Sequence, residues 1–317
     1  MARPSWRKAV ALLALPLVVG GCGGGGDGAT GRTAAPPPAN RPVLAVEERT
    51  EAFVDTGRPT DAVGTTPASP SRSLPTVVLT PAAGQPGRPY PLIVFAHGNG
   101  GRGRGDDPLL RAWASAGYVV AAPTFPFGAG RAPQGEGGSD YPNQPGDMSF
   151  VIGELLRLNA DPASPLHGAI APDRVGAAGH SLGATTTLAL AANTCCHDDR
   201  VKAAAILAGG EVRFGSGQFW ARIRTPVLFV HGDADPLVPY TSGQRAYDDA
   251  PPPRFLLTIA GGDHTRPYSG AGDDPQARVV TEATLDFFDH YLKGDADGVD
   301  RLRSDAAPPV ATLQGER

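Results

Sequence analysis

Short apolar runs alternate with longer amphipathic stretches along most of the chain. The runs predict eight strands, at Val43–Val46, Thr76–Leu79, Leu92–Ala96, Tyr118–Ala122, Arg174–Ala178, Val201–Leu207, Val227–Val230 and Phe255–Ile259. The stretches between several of them predict helices, at Pro108–Ala116, Asp147–Leu158, Leu182–Ala192, Tyr240–Asp249 and Pro275–Leu292. Continuously apolar strands separated by helices predict an α/β fold, a mostly parallel eight-stranded sheet with helices on both faces. Ligands of such sheets bind at the carboxyl ends of the strands.

The beginning of the chain has the pattern of an export signal rather than of a folded domain. Arg3, Arg7 and Lys8 precede the apolar run Ala9–Val19, which is too short to span ~30 Å of hydrocarbon. The following Val-Gly-Gly-Cys resembles a bacterial lipobox, which implies that residues 1–21 are removed and that Cys22 is lipidated. An ordinary signal peptide with an incidental cysteine is the alternative. We expect an exported protein that is anchored to the outer face of a bacterial membrane or secreted.

Composition divides the rest of the chain into three parts. Residues 22–42 are rich in glycine and proline and predict a flexible tether, whereas residues 43–293 hold the alternating pattern and predict a single domain. Residues 294–317 are polar and predict a solvated C-terminal tail. No later run approaches 18 apolar residues, so no transmembrane helix is expected.

Charge and cysteine content exclude several classes of protein. The 28 basic and 32 acidic residues give a net charge of −4, which provides no electrostatic surface for nucleic acid. Three cysteines are too few for a disulfide scaffold. The neighbours Cys195 and Cys196 are either a vicinal disulfide or two small thiols, and with His197 they supply too few ligands for a metal site.

The motif Gly179-His180-Ser181-Leu182-Gly183 is the strongest chemical signal. It follows a predicted strand and opens a predicted helix, the context in which G-x-S-x-G carries a nucleophile. A sharp turn of this kind exposes Ser181, and the N–H of Leu182 at the helix N-terminus favours developing negative charge. We therefore predict that Ser181 is a nucleophile.

A serine nucleophile needs a base and a carboxylate that orients it. His264 follows the strand Phe255–Ile259 through a glycine turn, which delivers it to the same sheet edge. After the strand Val227–Val230, Asp233 and Asp235 compete for the acid role. We choose Asp235, because Asp233 is better placed to shape the turn. Glu211 is a third and more distant candidate.

A second glycine-rich turn predicts an oxyanion hole. The strand Leu92–Ala96 ends in His97-Gly98-Asn99-Gly100-Gly101, a turn that can aim the backbone amide of Asn99 at Ser181. Together with the amide of Leu182 it would hold the oxyanion of a tetrahedral intermediate. His97 is interpreted as a structural residue of this turn.

These residues carry a family resemblance. The segments PLIVFAHGNGG, RVGAAGHSLGATTTLAL, TPVLFVHGDADPLVP and IAGGDH resemble the α/β-hydrolase superfamily, over about residues 75 to 292. Within it the chain is most similar to the group of dienelactone hydrolases, cutinase-like polyesterases and platelet-activating-factor acetylhydrolases. The resemblance implies a triad of Ser181, Asp235 and His264, with an oxyanion hole at Asn99 and Leu182. Dienelactone hydrolases have a cysteine nucleophile, so the serine here favours ordinary ester hydrolysis. No cofactor is implied.

The predicted function is carboxylic ester hydrolysis through an acyl-enzyme. Residues 208–225, between two strands, are too few for a cap domain, so we expect an open site suited to lipid or polyester-like substrates. The aromatic residues Phe125, Phe127, Trp220 and Tyr268 either line a substrate subsite or only pack the loops. The alternatives are a serine peptidase of the same fold, a cofactor-free haloperoxidase, and a catalytically silent lipid-anchored binding protein. The oligomeric state stays open, a monomer included.

Overall fold

The computed structural model describes residues 41–105, 107–128, 137–270 and 273–317. The expected export signal, Cys22 and nearly all of the expected tether lie outside these ranges. None of the described helices combines the length and the apolar character that crossing a membrane requires.

The described residues form a mixed sheet of nine strands. These are β1 (Val46–Asp55), β2 (Arg72–Pro81), β3 (Tyr90–Ala96), β4 (Val119–Pro123), β5 (Ile170–His180), β6 (Val201–Leu207), β7 (Val227–Gly232), β8 (Arg254–Ile259) and β9 (Ala311–Glu316). The spatial order is β1-β2-β4-β3-β5-β6-β7-β8-β9. The six strands from β4 to β8 in this order are parallel, whereas β1, β2 and β9 pair antiparallel at the two edges. The sheet is therefore mostly parallel, as expected, but has nine described strands rather than eight.

Helices cover both faces of this sheet. They are α1 (Pro108–Ser115), α2 (Gln144–Ala160), α3 (Leu182–Ala192), α4 (Tyr240–Asp249), α5 (Pro275–Phe288) and α6 (Gly298–Asp305). Successive side chains of a strand point to opposite faces. In β3, Leu92 and Val94 accordingly pack in the cluster that contains α2, α3 and α4, and Ile93 and Phe95 pack in the cluster that contains α1, α5 and α6. This arrangement confirms the α/β architecture.

The two ends of the domain differ from the prediction. Residues 294–317, expected to be a solvated tail, form α6 and β9, and β9 pairs along β8. Val299 and Leu302 are fully buried. The sequence did not indicate α6 and β9, because α6 has only two apolar residues at helical spacing and β9 is a polar edge strand.

The fold also begins earlier than expected. Arg41, assigned to the tether, makes ion pairs with three carboxylates of the α5 region: Glu282 at 2.5 Å, Asp289 at 2.6 Å, and Asp286. The first strand covers Val46–Asp55 rather than Val43–Val46. Its alternating polar residues are typical of an edge strand, which exposes one side to water.

The parallel register brings five strand ends to one edge of the sheet. Ala96 at the end of β3 lies beside Gly179 of β5, and His180 lies beside Leu207 at the end of β6. Further along, Gly232 at the end of β7 pairs with Ile259 at the end of β8. The turns that follow these strands contain the predicted site residues.

Candidate active site

Ser181 occupies a strained turn between β5 and α3. Its backbone has φ +58° and ψ −122°, a conformation that costs a residue with a side chain about 1–3 kcal/mol. The two glycines of the motif allow this turn. A Cβ atom on Gly179 would lie 2.2 Å from the carbonyl oxygen of Gly183, and one on Gly183 would lie 2.0 Å from that of Ala96. Neither position accommodates a side chain, and the glycines allow the backbone segments around Ser181 to pack closely. Ser181 itself is partly exposed at the sheet edge.

His264 reaches Ser181 from the turn after β8. Its imidazole is 7% exposed, and its Nε2 lies 2.8 Å from Ser181 Oγ. On the other side of the ring, Nδ1 lies 2.7 Å from Oδ2 of Asp235. Asp263 stabilises this turn, because its Oδ1 accepts hydrogen bonds from the N–H groups of Thr265 and Arg266. The structure thus brings all three predicted residues together.

Asp235 is held as a carboxylate. Its side chain is buried, and its Oδ1 accepts the N–H groups of Leu237 at 2.8 Å and Val238 at 2.9 Å. Burial by itself would raise the pKa of Asp235, but the hydrogen bonds from His264 and from these two amides outweigh it and leave the pKa below its usual value. An ionised Asp235 therefore faces the imidazole at neutral pH.

The two other candidate acids have different partners. Asp233 is exposed, and its Oδ1 accepts the N–H of Gly261 at 2.7 Å, which ties the end of β7 to the turn after β8. Glu211 accepts a hydrogen bond from Trp220 Nε1 at 2.6 Å. Burial raises the pKa of Glu211. Asp235, and neither of these residues, hydrogen-bonds His264.

The hydrogen bonds fix the direction in which a proton can move. A carboxylate only accepts, so Nδ1–H of His264 donates to Asp235, and the lone pair on Nε2 faces the Ser181 hydroxyl. The imidazole is thereby oriented to take the serine proton as the oxygen attacks a carbon.

The glycine turn after β3 lies against Ser181. A Cβ atom on Gly98 would lie 3.3 Å from the Cβ of Ser181, and the N–H of Gly101 closes the turn on the Gly98 carbonyl at 3.0 Å. Asn99 follows Gly98 directly. Leu182 is the first residue of α3, where N–H groups have no partner within the helix. Gly98 and the first residue of α3 thus border Ser181 from different elements, and the oxyanion hole at the amides of Asn99 and Leu182 stays a prediction.

His97 stabilises that turn in its neutral form. Its Nδ1–H donates to the Gly98 carbonyl at 2.7 Å, and its Nε2 accepts the N–H of Phe125 at 3.1 Å. Burial lowers the pKa of His97 to about 4. A second proton on Nε2 would face the Phe125 N–H, another donor. These contacts fit the structural role expected for His97.

His180 has a positioning role that the sequence analysis did not foresee. Its Nε2–H donates to the carbonyl oxygen of His264 at 2.6 Å, and its ring packs on those of His264 and Tyr268. Burial lowers the pKa of His180 to about 4, so the ring is neutral at pH 7. The Tyr268 hydroxyl in turn accepts the N–H of Gly232 and donates to Val230. The second residue of G-x-S-x-G is unrestricted, so the motif itself gives no signal for this contact.

The aromatic residues considered for a substrate subsite lie mostly in the interior. Phe125 and Phe127 are 1% and 3% exposed, and Phe125 packs on the ring of His97. Their burial favours the loop-packing alternative for these two residues. Trp220 is partly buried and bound to Glu211, and Tyr268 is buried. Loop packing accounts for the position of Trp220, whereas Tyr268 also lines a cavity next to His180.

Cys195 and Cys196 form a vicinal disulfide just after α3. This helix begins beside Ser181 and runs to the other end of the sheet, so the disulfide lies away from the serine. Cys22, the predicted lipidation site, is outside the described residues.

Comparison with known proteins adds no assignment. No protein-family model matches the chain, and no curated protein matches it in sequence. The site itself consists of a serine on a strained strand-to-helix turn, an imidazole and a buried carboxylate in one hydrogen-bonded row.

Proposed function

We propose that this protein is a serine hydrolase of the α/β-hydrolase fold that cleaves carboxylic esters through an acyl-enzyme. The observation that carries the proposal is the row Ser181–His264–Asp235, with contacts of 2.8 and 2.7 Å. The strained turn at Ser181 and the close glycine contacts support the same class. The motifs are most similar to those of dienelactone hydrolases, cutinase-like polyesterases and platelet-activating-factor acetylhydrolases.

In the proposed reaction the Ser181 oxygen attacks the ester carbonyl while its proton moves to Nε2 of His264. Asp235 stabilises the imidazolium, and the amides of Asn99 and Leu182 bind the oxyanion; loss of one such donor typically costs ~3 kcal/mol. The intermediate collapses when His264 protonates the departing alcohol. A water molecule, deprotonated by His264, then releases the acid from Ser181.

Two features support bulky, apolar esters as substrates. The segment 208–225, between β6 and β7, contains neither a helix nor a named strand, so it does not build a helical lid over the edge. Leu237, two residues after Asp235, is 70% exposed. An apolar side chain in water beside the site favours a lipid or polyester-like substrate that approaches from solvent.

The test is hydrolysis of 4-nitrophenyl esters from acetate to palmitate by the purified protein, with Ser181→Ala as the matched control. We expect turnover that disappears in the control, and covalent labelling of the wild type alone by a fluorophosphonate. Labelling without ester turnover, combined with cleavage of peptide amides, would replace ester hydrolysis by peptidase activity. A folded protein with neither labelling nor turnover would indicate a binding role.

A further inference from the structure

The loop between β3 and α1 alternates glycine and arginine for a physical reason. Gly101, Gly103 and Gly105 press against the rest of the domain, and a Cβ atom at each would approach a neighbour closely: 3.0 Å from the Gly98 carbonyl, 1.9 Å from the Ala122 carbonyl, and 2.2 Å from the Glu48 carboxylate. The intervening residues, Arg102 and Arg104, are exposed. The alternation thus packs the main chain inward and directs both arginines outward.

Both arginines line a cavity of about 320 Å³ beside the proposed triad. Its wall also includes Gly98, His180 and Thr265. Gly98 contacts Ser181, His180 precedes Ser181, and Thr265 follows His264. A substituent of an ester whose carbonyl lies at Ser181 can therefore reach this cavity.

The described part of the cavity wall has a net positive charge. Its charged members are Arg102, Arg104 and Asp107, and Asp107 is engaged with the N–H groups at the start of α1. His97 and His180 add no charge at neutral pH, because burial lowers their pKa to about 4. Within the described ranges, the Arg102 guanidinium has no hydrogen-bond or ion-pair partner. Arg102 is therefore a positive group in the cavity wall that a singly charged anion can pair with.

We propose that this cavity is a subsite for the carboxylate of a carboxylate-bearing ester, bound by Arg102 with Arg104 beside it. The guanidinium fork matches a carboxylate geometrically, with two parallel N–H···O bonds. The inference rests on the proposed ester hydrolysis and names its substrate class. It is also chemically consistent with polyester-like substrates, since every cleavage of a diacid polyester leaves a chain that ends in a carboxylate.

The test compares two substrates that differ only at one end: the mono-4-nitrophenyl ester of adipic acid, which has a free carboxylate, and its methyl ester, which is uncharged. The readout is the ratio of kcat/KM for the charged over the neutral substrate. Arg102→Gln should lower this ratio about tenfold, as expected for a hydrogen bond to a charged group. Arg174→Gln is the control, because it removes the same charge from the opposite half of β5. The wild-type ratio should also fall as salt increases.

The outcomes separate the two proposals. No hydrolysis of either ester by the wild type refutes the proposed function. Hydrolysis with a ratio that Arg102→Gln leaves unchanged refutes the subsite alone. An equal loss on both esters in Arg102→Gln also refutes it, since the arginine would then act on the loop rather than on the carboxylate. Arg102→Lys should retain part of the ratio, because a single ammonium keeps the charge but loses the fork.

Discussion

The backbone strain at Ser181 predicts an unusual order of stabilities for two inactive variants. Ser181→Ala and Ser181→Gly both remove the hydroxyl, so both lose the hydrogen bond to His264 and, under the proposed mechanism, activity. They differ at φ +58°, ψ −122°, where any Cβ is strained and glycine is not. The side chain of Ser181 makes no capping hydrogen bond to α3, so no cap is lost in either variant. We therefore expect Ser181→Gly to be the more stable protein.

The size of the difference follows from two opposing effects. Relief of the strained conformation is worth about 1–3 kcal/mol. The unfolded state of the glycine variant has the larger conformational entropy, which reduces the free energy of unfolding by about 0.4–1 kcal/mol. From the midpoints of these two ranges, the net advantage of Ser181→Gly over Ser181→Ala is about 1.3 kcal/mol. Each kcal/mol raises Tm by about 2–4 °C in a domain of this size.

Urea unfolding of the two variants, followed by circular dichroism, measures the difference, and thermal melts give an independent value. Ala112, within α1, provides the matched control, because at an ordinary helical position glycine should be less stable than alanine by about 1 kcal/mol. The sign of the alanine-to-glycine change is thus expected to reverse between residues 112 and 181. A Ser181→Gly protein that is no more stable than Ser181→Ala would refute the strain.

Two further predictions concern the carboxylate of Asp235 and the buried imidazole of His97. Asp235→Asn should lower kcat by about 10⁴, because the amide oxygen stays with the N–H groups of Leu237 and Val238 and the NH2 group then faces Nδ1 of His264, which places the ring proton on Nε2. Asp233→Asn keeps an oxygen for Gly261 and should cost less than about tenfold, so esterase kinetics with the larger loss at Asp233 would reverse our assignment. The pKa of His97, about 4 when folded against about 6.5 when unfolded, means that only the unfolded chain gains this proton as pH falls from 7 to 5. The free energy of unfolding lost in His97→Gln, measured in urea, should therefore shrink by about 2 kcal/mol over that interval, and a pH-independent loss would contradict the neutral, buried ring.

Two of the helices, and the strands that are buried on both faces, are the parts of the fold that follow from the sequence. The helix Leu182–Ala192 and the helix Tyr240–Asp249 have their predicted boundaries, and the parallel strands lie close to the predicted ones. A strand covered on both faces must be apolar throughout, so its pattern is unambiguous. The edge strands Val46–Asp55 and Ala311–Glu316 expose one side to water and contain polar residues there. Because the segments around them are also polar, the sequence pattern does not distinguish these strands from loops.

Buried charges limit the sequence prediction in another way. Arg72 is fully buried and makes ion pairs with Asp140 and Asp147, and Arg41 makes ion pairs with carboxylates of the α5 region. An isolated arginine in a sequence indicates a solvated surface, because only its tertiary partners make burial favourable. Such partners, 68 to 248 residues away, leave no local pattern.

The candidate site was predictable to the extent that its geometry is imposed locally. The close contacts at Gly179 and Gly183 are made within a few residues of the serine or with an adjacent strand. The sequence motif is therefore enough to predict the turn. The choice between Asp235 and Asp233 depends on where two turns meet in space, and only the contact with His264 at 2.7 Å distinguishes them.

The lining of the site is the least predictable part, and Phe125 and Arg102 illustrate why. Both follow a strand end, so the sequence places them near the site without giving their direction. The Phe125 side chain packs inward on His97 because an aromatic ring gains most from burial. The Arg102 side chain turns outward because the glycines on either side of it are held against the domain. The direction of each side chain therefore depends on which neighbouring groups are buried. For Arg102 these groups are the flanking glycines, so the identity of residue 102 does not indicate its direction.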